Sequence, residues 1–137
     1  MAGYSGTPLP KKLGIKENFR VAMHAIPAEV SADLRDSLST CEVLKKPSAP
    51  LDFAMLFTKK RVELSLILPG YSKLLAPAGI LWVCWPKKSS GVACDMNEND
   101  IRDLGLAIGL VDVKVCAVNE VWSGLKFVIP VKDRKKR

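Results

Sequence analysis

Three segments of the chain are apolar at almost every position, and they limit what the chain can fold into. They read FRVAMHAI (residues 19–26), LDFAMLF (51–57) and ILWVCW (80–85). A strand without polar alternation is buried on both faces, as strands are in a parallel sheet that helices cover on both sides. We therefore expect these segments to be the central strands of one sheet.

Segments with helical periodicity separate these strands. Val30, Leu34 and Leu38 recur every four residues in PAEVSADLRDSL, which predicts a helix with one apolar face. The stretch KKRVELSLILPGYSKLLAPAG predicts a second helix, kinked or restarted at Pro69 and ended by Gly79. Strands that alternate with helices indicate a parallel sheet with right-handed crossovers.

The remaining elements complete an α/β pattern. Thr7 and Gly14 bound a short helix in TPLPKKLG, and Asn97, with Asp100 three residues later, marks the start of a later helix. CEVLKK predicts a short edge strand, and VDVKVCAV and LKFVIPV predict a closing antiparallel pair around the turn NEVWSG. The fold class we predict is α/β: a Rossmann-like three-layer domain over residues 1–131, with a mostly parallel sheet of about six strands ending in an antiparallel hairpin.

Composition favours one folded, cytoplasmic domain. The chain has 137 residues, 48% of them hydrophobic and 26% charged, which is close to the average for globular domains. Its longest uncharged apolar run, APAGILWVCWP, is shorter than the roughly 20 residues that span a bilayer. We expect no membrane association, and the N-terminus shows no apolar signal segment.

Positive charge is concentrated at the C-terminus. The net charge is +7, and the segment KDRKKR accounts for +4 of it, which leaves +3 for the preceding 131 residues. We predict that residues 132–137 form a disordered basic tail. Such a tail can neutralise nucleic-acid phosphates, here through Lys132, Arg134, Lys135, Lys136 and Arg137.

Cysteine and histidine usage argues against a metal site or a thiol enzyme. Cys41, Cys84, Cys94 and Cys116 form no C-x-x-C pair, and His24 is the single histidine. A metal site would need carboxylates or thiolates around this one histidine, and a Cys–His catalytic pair would need His24 as its base. We predict no metal and no catalytic residue.

Two resemblances add to this pattern. LLAPAGILWV, followed by a helix and a terminal hairpin, resembles the second half of class I S-adenosylmethionine (SAM)-dependent methyltransferases. GYSGTPLPKKLGIK, LWVCWPKKSSGVACDM and GLVDVKVCAVNEVWSGLKFV are similar to segments of a family of small, functionally uncharacterised bacterial proteins. The second resemblance covers most of the chain and implies a bacterial, cytosolic Rossmann-like domain, without an activity to transfer.

Two features depart from the methyltransferase pattern. The turn after the first strand, HAIPAE, has no glycine, although glycine lets a backbone approach a bound cofactor closely. The next strand ends in VLKKPSAP, with lysines where a ribose-binding carboxylate is expected. From these features we expect a degenerate domain that uses no cofactor, with SAM unlikely.

A candidate site lies where the parallel strands end. Ligands of doubly wound sheets bind at the carboxyl ends of the strands, and lysines, hydroxyls, glycines and an indole in those loops suit an anionic or nucleotide-like ligand. The candidate residues are His24, Lys59, Lys60, Trp85, Lys87, Lys88, Ser89, Ser90, Gly91, Trp122, Ser123 and Gly124. The same residues are also compatible with solvated polar loops and packed tryptophans, and KKSSG lacks the spacing of a P-loop.

Three functional hypotheses remain open from the sequence. The leading one is a non-enzymatic domain that binds an anionic small molecule or nucleotide at this rim. The first alternative is an RNA accessory protein that uses the basic tail and the lysine rim. The second alternative is an atypical SAM-dependent methyltransferase.

Overall fold

The structure is a computed structural model that describes residues 6–137, and a six-stranded sheet forms its centre. The strand order is β2-β1-β3-β4-β6-β5. The strands are β1 Arg20–His24, β2 Glu42–Val43, β3 Leu51–Phe57, β4 Leu75–Pro86, β5 Val111–Ala117 and β6 Trp122–Val128. The helices are α1 Leu9–Leu13, α2 Ala28–Leu38, α3 Arg61–Leu74 and α4 Glu98–Ala107.

The parallel part of the sheet is buried on both faces, which confirms the three-layer prediction. β1, β3 and β4 run parallel. Side chains of β3 alternate: Phe53 and Met55 pack against α1 and α2, whereas Ala54 and Leu56 pack against α3 and α4. The two faces therefore form two separate apolar cores, one under each pair of helices.

The closing hairpin also agrees with the sequence-based prediction. β6 lies antiparallel between β4 and β5, and β2 is a two-residue strand at the opposite edge. Asn97 and Asp100 form the predicted capping box at the start of α4. Trp82 and Trp85 pack on opposite faces of β4, and the buried Trp82 indole donates a hydrogen bond to the Leu13 carbonyl at 2.9 Å.

The boundary between α3 and β4 differs from the prediction. Gly79 does not end the helix, because α3 continues past Pro69 to Leu74 and β4 begins at Leu75. Leu51 pairs with Leu75 and Phe53 with Ile80, so the intervening residues of β4 bulge. Gly79 is required there, since a Cβ would lie 2.7 Å from the Leu51 carbonyl oxygen.

Two smaller boundaries also shift. Pro8, rather than Thr7, occupies the N-cap position of α1, although Gly14 does end that helix in the left-handed conformation. The predicted turn NEVWSG is shorter than expected, because Trp122 already begins β6. Asn119 Oδ1 accepts hydrogen bonds from the backbone N–H groups of Val121 and Trp122 and so closes the turn.

The C-terminal segment, predicted to be a disordered tail, is a short 3-10 helix over Val131–Lys136. Arg134 Nε donates to the Ile129 carbonyl at 2.9 Å. Arg137 Nη1 donates to the carbonyl oxygens of Ser72 and Leu75, at 2.7 and 3.2 Å, where α3 ends. Guanidinium groups commonly satisfy the last carbonyls of a helix in this way, so two of the five basic side chains serve the fold.

No helix between residues 6 and 137 combines the length and apolar composition needed to cross a membrane. The longest, α3, has 14 residues, against the roughly 20 that a transmembrane helix requires.

Packing of α4 on the sheet depends on Gly105. A Cβ at this position would overlap the ring of Phe127, which is fully buried in β6. We expect Gly105→Ala to lower the free energy of unfolding by about 1–3 kcal/mol, the usual cost of overpacking a core. Urea denaturation followed by circular dichroism measures the change.

Gly70→Ala in α3 is the matched control, because no heavy atom lies within 4 Å of its Cβ position. That variant should be neutral or more stable by about 0.4–1 kcal/mol, since alanine restricts the unfolded chain. Equal effects of the two substitutions would show that Gly105 is not a packing contact.

Candidate functional site

The main candidate pocket lies at the carboxyl ends of β1 and β3. The two strands are neighbours, and the chain continues from β1 to β2 on one side and from β3 to β4 on the other. This reversal of strand order leaves a crevice at the sheet edge, where doubly wound folds bind ligands. The crevice, which we call the edge pocket, has a volume of about 640 Å³, within the range of small-molecule sites. Its lining residues are Ala25, Pro27, Glu29, Phe57, Lys59, Lys60, Glu63, Val92, Val121 and Trp122.

A second pocket adjoins the first. This loop pocket, of about 570 Å³, lies at the end of β4 and is lined by Trp85, Pro86, Lys88, residues 91–97 and Asp100. Val92 lines both pockets. The carboxyl edge therefore holds two adjacent pockets that share one lining residue.

The loop pocket is fastened to the start of α3. Asp95 Oδ1 accepts a hydrogen bond from the Arg61 backbone N–H at 2.7 Å, and the Asp95 backbone N–H donates to the Lys59 carbonyl at 3.1 Å. Arg61 also forms an ion pair with Asp100 at 3.3 Å. These contacts hold Asp95 and Asp100, which line the loop pocket, close to the start of α3. Lys59 and Lys60, which precede α3, are both exposed.

An aromatic pair forms the apolar wall of the edge pocket. The rings of Phe57 and Trp122 pack edge to face, with centroids 5.1 Å apart. Trp122 is only 7% exposed and belongs to the core under α1 and α2. It is thus mainly a packed core residue, as one of the alternatives allowed, with part of its surface at the pocket.

The turn after β1 has an unusual backbone. Ala25 adopts φ 54°, in the left-handed region that glycine favours. Pro27 follows at the N-cap of α2. The absence of glycine from HAIPAE therefore does not remove the left-handed conformation from this turn.

Carboxylates reach the edge pocket from two helices. Glu29 comes from the first turn of α2 and Glu63 from the first turn of α3. His24 Nε2 and Glu63 Oε2 are 3.1 Å apart, so His24 positions a lining residue and does not itself line the pocket. The His24 ring also meets Tyr71 edge to face at 6.4 Å, and burial raises the pKa of Tyr71.

The loop WPKKSSG has mixed roles. Lys88–Ser90 form one 3-10 turn, which Gly91 ends at φ 76°. Ser90 Oγ donates to the Lys87 carbonyl at 2.6 Å and accepts from the Val92 backbone N–H at 3.2 Å, so this hydroxyl serves the turn. Lys88 and Gly91 line the loop pocket, whereas the exposed Ser89 lines neither pocket.

The structure brings this loop beside the hairpin turn, as predicted. The Lys87 backbone N–H donates to the Val121 carbonyl at 2.7 Å. Ser123 and Gly124, however, lie within β6, opposite Trp85 and Cys84. Gly124 is buried, and a Cβ there would lie 3.0 Å from the Trp82 ring. Gly124 is therefore a packing residue and not part of the rim.

One buried hydroxyl at this edge has no partner. Thr58 follows β3 and is 1% exposed, and its Oγ1 makes no hydrogen bond among the described residues. A buried polar atom without a partner costs about 1–3 kcal/mol unless a water or ligand satisfies it. Thr58 lies next to Phe57 and Lys59, which line the edge pocket.

The sequence-based site list missed several residues of the edge pocket. Ala25, Glu29, Phe57 and Glu63 line or bound it, but none was proposed as a site residue. Phe57 ends a strand whose bounds were predicted, so its position offered a signal. The two glutamates resemble ordinary helix N-terminal charges, and only the fold brings them together.

Solved structures that align with the chain include several methyltransferases. A SAM-dependent methyltransferase from Aquifex aeolicus aligns with TM-score 0.61 at 16% identity, over 88% of each chain. Magnesium protoporphyrin IX methyltransferase from Synechocystis PCC 6803, solved with bound SAH, aligns with TM-score 0.57 at 11% identity, over 88% of this chain and 78% of that one. A fibrillarin pre-rRNA processing protein from Methanococcus jannaschii aligns with TM-score 0.52 at 10% identity, over 90% and 69%. The fold is the Rossmann-like methyltransferase fold.

In sequence, the chain matches no protein-family model and no curated protein. The resemblance to small bacterial proteins therefore stays a prediction.

The expectation that the domain uses no cofactor, with SAM unlikely, is wrong. The solved structures with this fold include methyltransferases with bound SAH and with bound SAM. The missing glycine was a poor reason to exclude the cofactor, because Ala25 retains the left-handed turn.

The strain at Ala25 has a measurable consequence. A non-glycine residue in the left-handed conformation costs roughly 1–2 kcal/mol, partly offset by the entropy that glycine loses on folding. We expect Ala25→Gly to leave stability unchanged or raise the free energy of unfolding by about 1 kcal/mol. Thermal and urea denaturation measure it.

Ala32→Gly, on the exposed face of α2, is the control. It should destabilise by about 0.5–1 kcal/mol, because glycine is unfavourable inside a helix. Equal destabilisation by both variants would mean that the turn is not strained.

Proposed function

We propose that this protein binds SAM in the edge pocket and acts as an atypical SAM-dependent methyltransferase. The observation that carries the proposal is a pocket of suitable volume at the switch point between β1 and β3, next to a left-handed turn at Ala25. It takes up the second alternative, and from the leading hypothesis it keeps only a nucleoside-like ligand at the carboxyl edge of the sheet. A bacterial origin and a cytoplasmic location remain parts of the same proposal.

The residues around the pocket fit such a ligand, with one replacement. The loop after β2 supplies Lys45 and Lys46 instead of a carboxylate, and Glu42 is committed to an ion pair with Arg20 at 3.1 Å. Glu29 and Glu63 line the pocket instead. We assign them the role of accepting hydrogen bonds from ribose hydroxyls, because a carboxylate is an acceptor only.

The other walls have the complementary chemistry. Phe57 and Trp122 offer aromatic surface to an adenine ring or to a sulfonium cation. Lys59 and Lys60 supply positive charge for the carboxylate of the methionine moiety. Thr58 Oγ1 is a buried polar atom that still lacks a partner at this edge.

Bound SAM supplies an activated methyl group, and the loop pocket is our candidate for the acceptor. It shares Val92 with the edge pocket, so an acceptor there would be adjacent to the cofactor. Trp85 and Met96 give it a mostly buried apolar wall. Its polar side is formed by Asp95 and Asp100, which the Arg61 contacts hold in place. These residues bind and orient an acceptor and exclude water from it.

Binding of SAM is the first test. We expect isothermal titration calorimetry to show a saturable heat with SAM and SAH, and we expect Trp122→Phe to weaken binding. A cation–π contact contributes about twofold to thirtyfold in affinity, and the loss should be a part of this factor, because phenylalanine keeps a weaker aromatic contact with the sulfonium. Binding of SAH, which lacks the sulfonium charge, should change less.

Lys45→Gln with Lys46→Gln is the matched control for ribose recognition. These exposed lysines follow β2 and lie outside the edge pocket, so affinity should be unchanged, whereas Glu63→Gln should lower it. No heat and no thermal shift at millimolar SAM would exclude the proposal.

Nucleic-acid binding through the C-terminal segment is the second candidate function. Lys132 and Lys135 are exposed and, within residues 6–137, form no ion pair. Arg134 and Arg137 bond to carbonyl oxygens, and Lys136 lies 3.7 Å from Asp133. Two lysines are thus the part of the segment most available to phosphates.

If the C-terminal segment binds RNA, we expect the affinity to fall as the salt concentration rises. Lys132→Gln with Lys135→Gln should then reduce the slope of log K against log salt by about 1.4 for a single strand. Fluorescence anisotropy with a labelled RNA measures the slope. The two substitutions spare the arginines that bond to the fold, so an unchanged slope would remove the segment from consideration.

A further inference from the structure

Two lysines face each other across β5 and β6. Lys114 and Lys126 are register partners in this antiparallel pair, and partners in a ladder project from the same face of a sheet. Like charges directly opposite each other destabilise a strand pair. The charge pattern at this position therefore opposes local folding.

The second lysine is held in an unfavourable environment for a cation. Lys126 is also the register partner of Trp82, which is fully buried, and its own side chain is half-buried, whereas Lys114 is exposed. Burial, followed by the charge of Lys114, lowers the pKa of Lys126. Both effects disfavour the ammonium form.

No acidic side chain compensates this charge. Within residues 6–137, neither Lys114 nor Lys126 forms an ion pair with a carboxylate. A third lysine, Lys12 of α1, approaches the same face, where its Nζ donates to the Ala117 carbonyl at 3.1 Å. Cys116, two residues after Lys114 in β5, packs against the core under α1 and α2, so Lys114 projects from the same face of the sheet.

Protection of a sheet edge explains why residue 114 is a lysine, but not why residue 126 is one. Lysines on an edge strand discourage pairing with other chains, and β5 is such a strand. This accounts for Lys114. It does not account for Lys126, because β6 is paired on both sides, with β4 and β5.

We propose that Lys114 and Lys126 form a phosphate-binding site on the face of the sheet that α1 and α2 cover. An oxoanion between two ammonium groups turns their repulsion into attraction, and lysine binds phosphate as a point charge. The site goes beyond the proposed methyltransferase function: Lys126 lies four residues along β6 from Trp122, about 13 Å from the edge pocket. The phosphate belongs either to a free phosphate or pyrophosphate ion or to an RNA backbone.

The test uses the full chain with three probes: inorganic phosphate, pyrophosphate and a labelled single-stranded RNA. The variant Lys114→Gln with Lys126→Met removes both charges and keeps the apolar stem beside Trp82. Lys45→Gln with Lys46→Gln removes the same charge from the exposed loop after β2 and is the matched control. Melting temperature is measured at low ionic strength, with potassium chloride at equal ionic strength as the reference.

We expect phosphate or pyrophosphate to raise the melting temperature of the wild type more than potassium chloride does. The Lys114/Lys126 variant should lose that difference and, without phosphate, should melt no lower than the wild type, because a repulsion has been removed. A response to the free ions alone identifies them as the ligand. If the ligand is an RNA backbone, the slope of log K against log salt for RNA binding should be smaller in the variant than in the wild type. The expected difference is about 1.4, the value for two phosphate contacts to a single strand.

Three results would overturn the site. The first is no specific response to any of the three probes. The second is an equal loss in the Lys45/Lys46 control, which would mean that net charge alone matters. The third is a lower melting temperature of the Lys114/Lys126 variant in phosphate-free buffer, since the pair would then stabilise the fold. The single variant Lys126→Met repeats this last measurement without changing the edge strand.

Discussion

β3 and β4 are buried on both faces, and the rest of the structure is arranged to keep them so. Every residue of β3 except Asp52 is buried, as are residues 81–86 of β4. Each large apolar side chain in these strands stabilises the fold by about 1.5–3 kcal/mol only while a helix covers it. The chain must therefore place α1 and α2 on one face and α3 and α4 on the other. Right-handed crossovers between parallel strands achieve this with the short connections that are present.

The same arrangement determines where chemistry is possible. Parallel strands end at one edge, so the segments after β1, β3 and β4 meet there without any dedicated motif. The antiparallel insertion of β6 adds the hairpin turn, which the bond from Lys87 N–H to the Val121 carbonyl fastens to the loop after β4. Packing is tight opposite Cys84, because a Cβ at Gly124 would lie 3.0 Å from the Trp82 ring. The antiparallel pairing of β6 with β4 thus brings two surface loops together.

Sequence reasoning succeeded where burial itself is the signal. The bounds of β3 were predicted without error because nearly all its residues are apolar, and the Asn97–Asp100 capping box is a local pattern. It failed where a partner is distant in sequence. The extension of β4 back to Leu75 depends on Leu51, and the ordered C-terminus depends on carbonyls at the end of α3. The predicted site residues cover the lining of the edge pocket only in part for the same reason: strand ends were predictable, but Glu29 and Glu63 look like solvated helix charges until the fold brings them to one pocket.

The turn at Ala25 shows why a missing glycine is weak evidence about a pocket. A strained backbone conformation persists only where the surrounding structure determines it. Here the residues on both sides of Ala25 are fixed. His24 pairs with Leu56 of β3, and Pro27 restricts the start of α2. The left-handed conformation therefore follows from the junction between strand and helix. Ala25 lines the edge pocket, so its methyl group forms part of the pocket wall where a glycine would leave space. A ligand of this pocket must accept that methyl group, which limits how closely the ligand approaches the backbone of the turn.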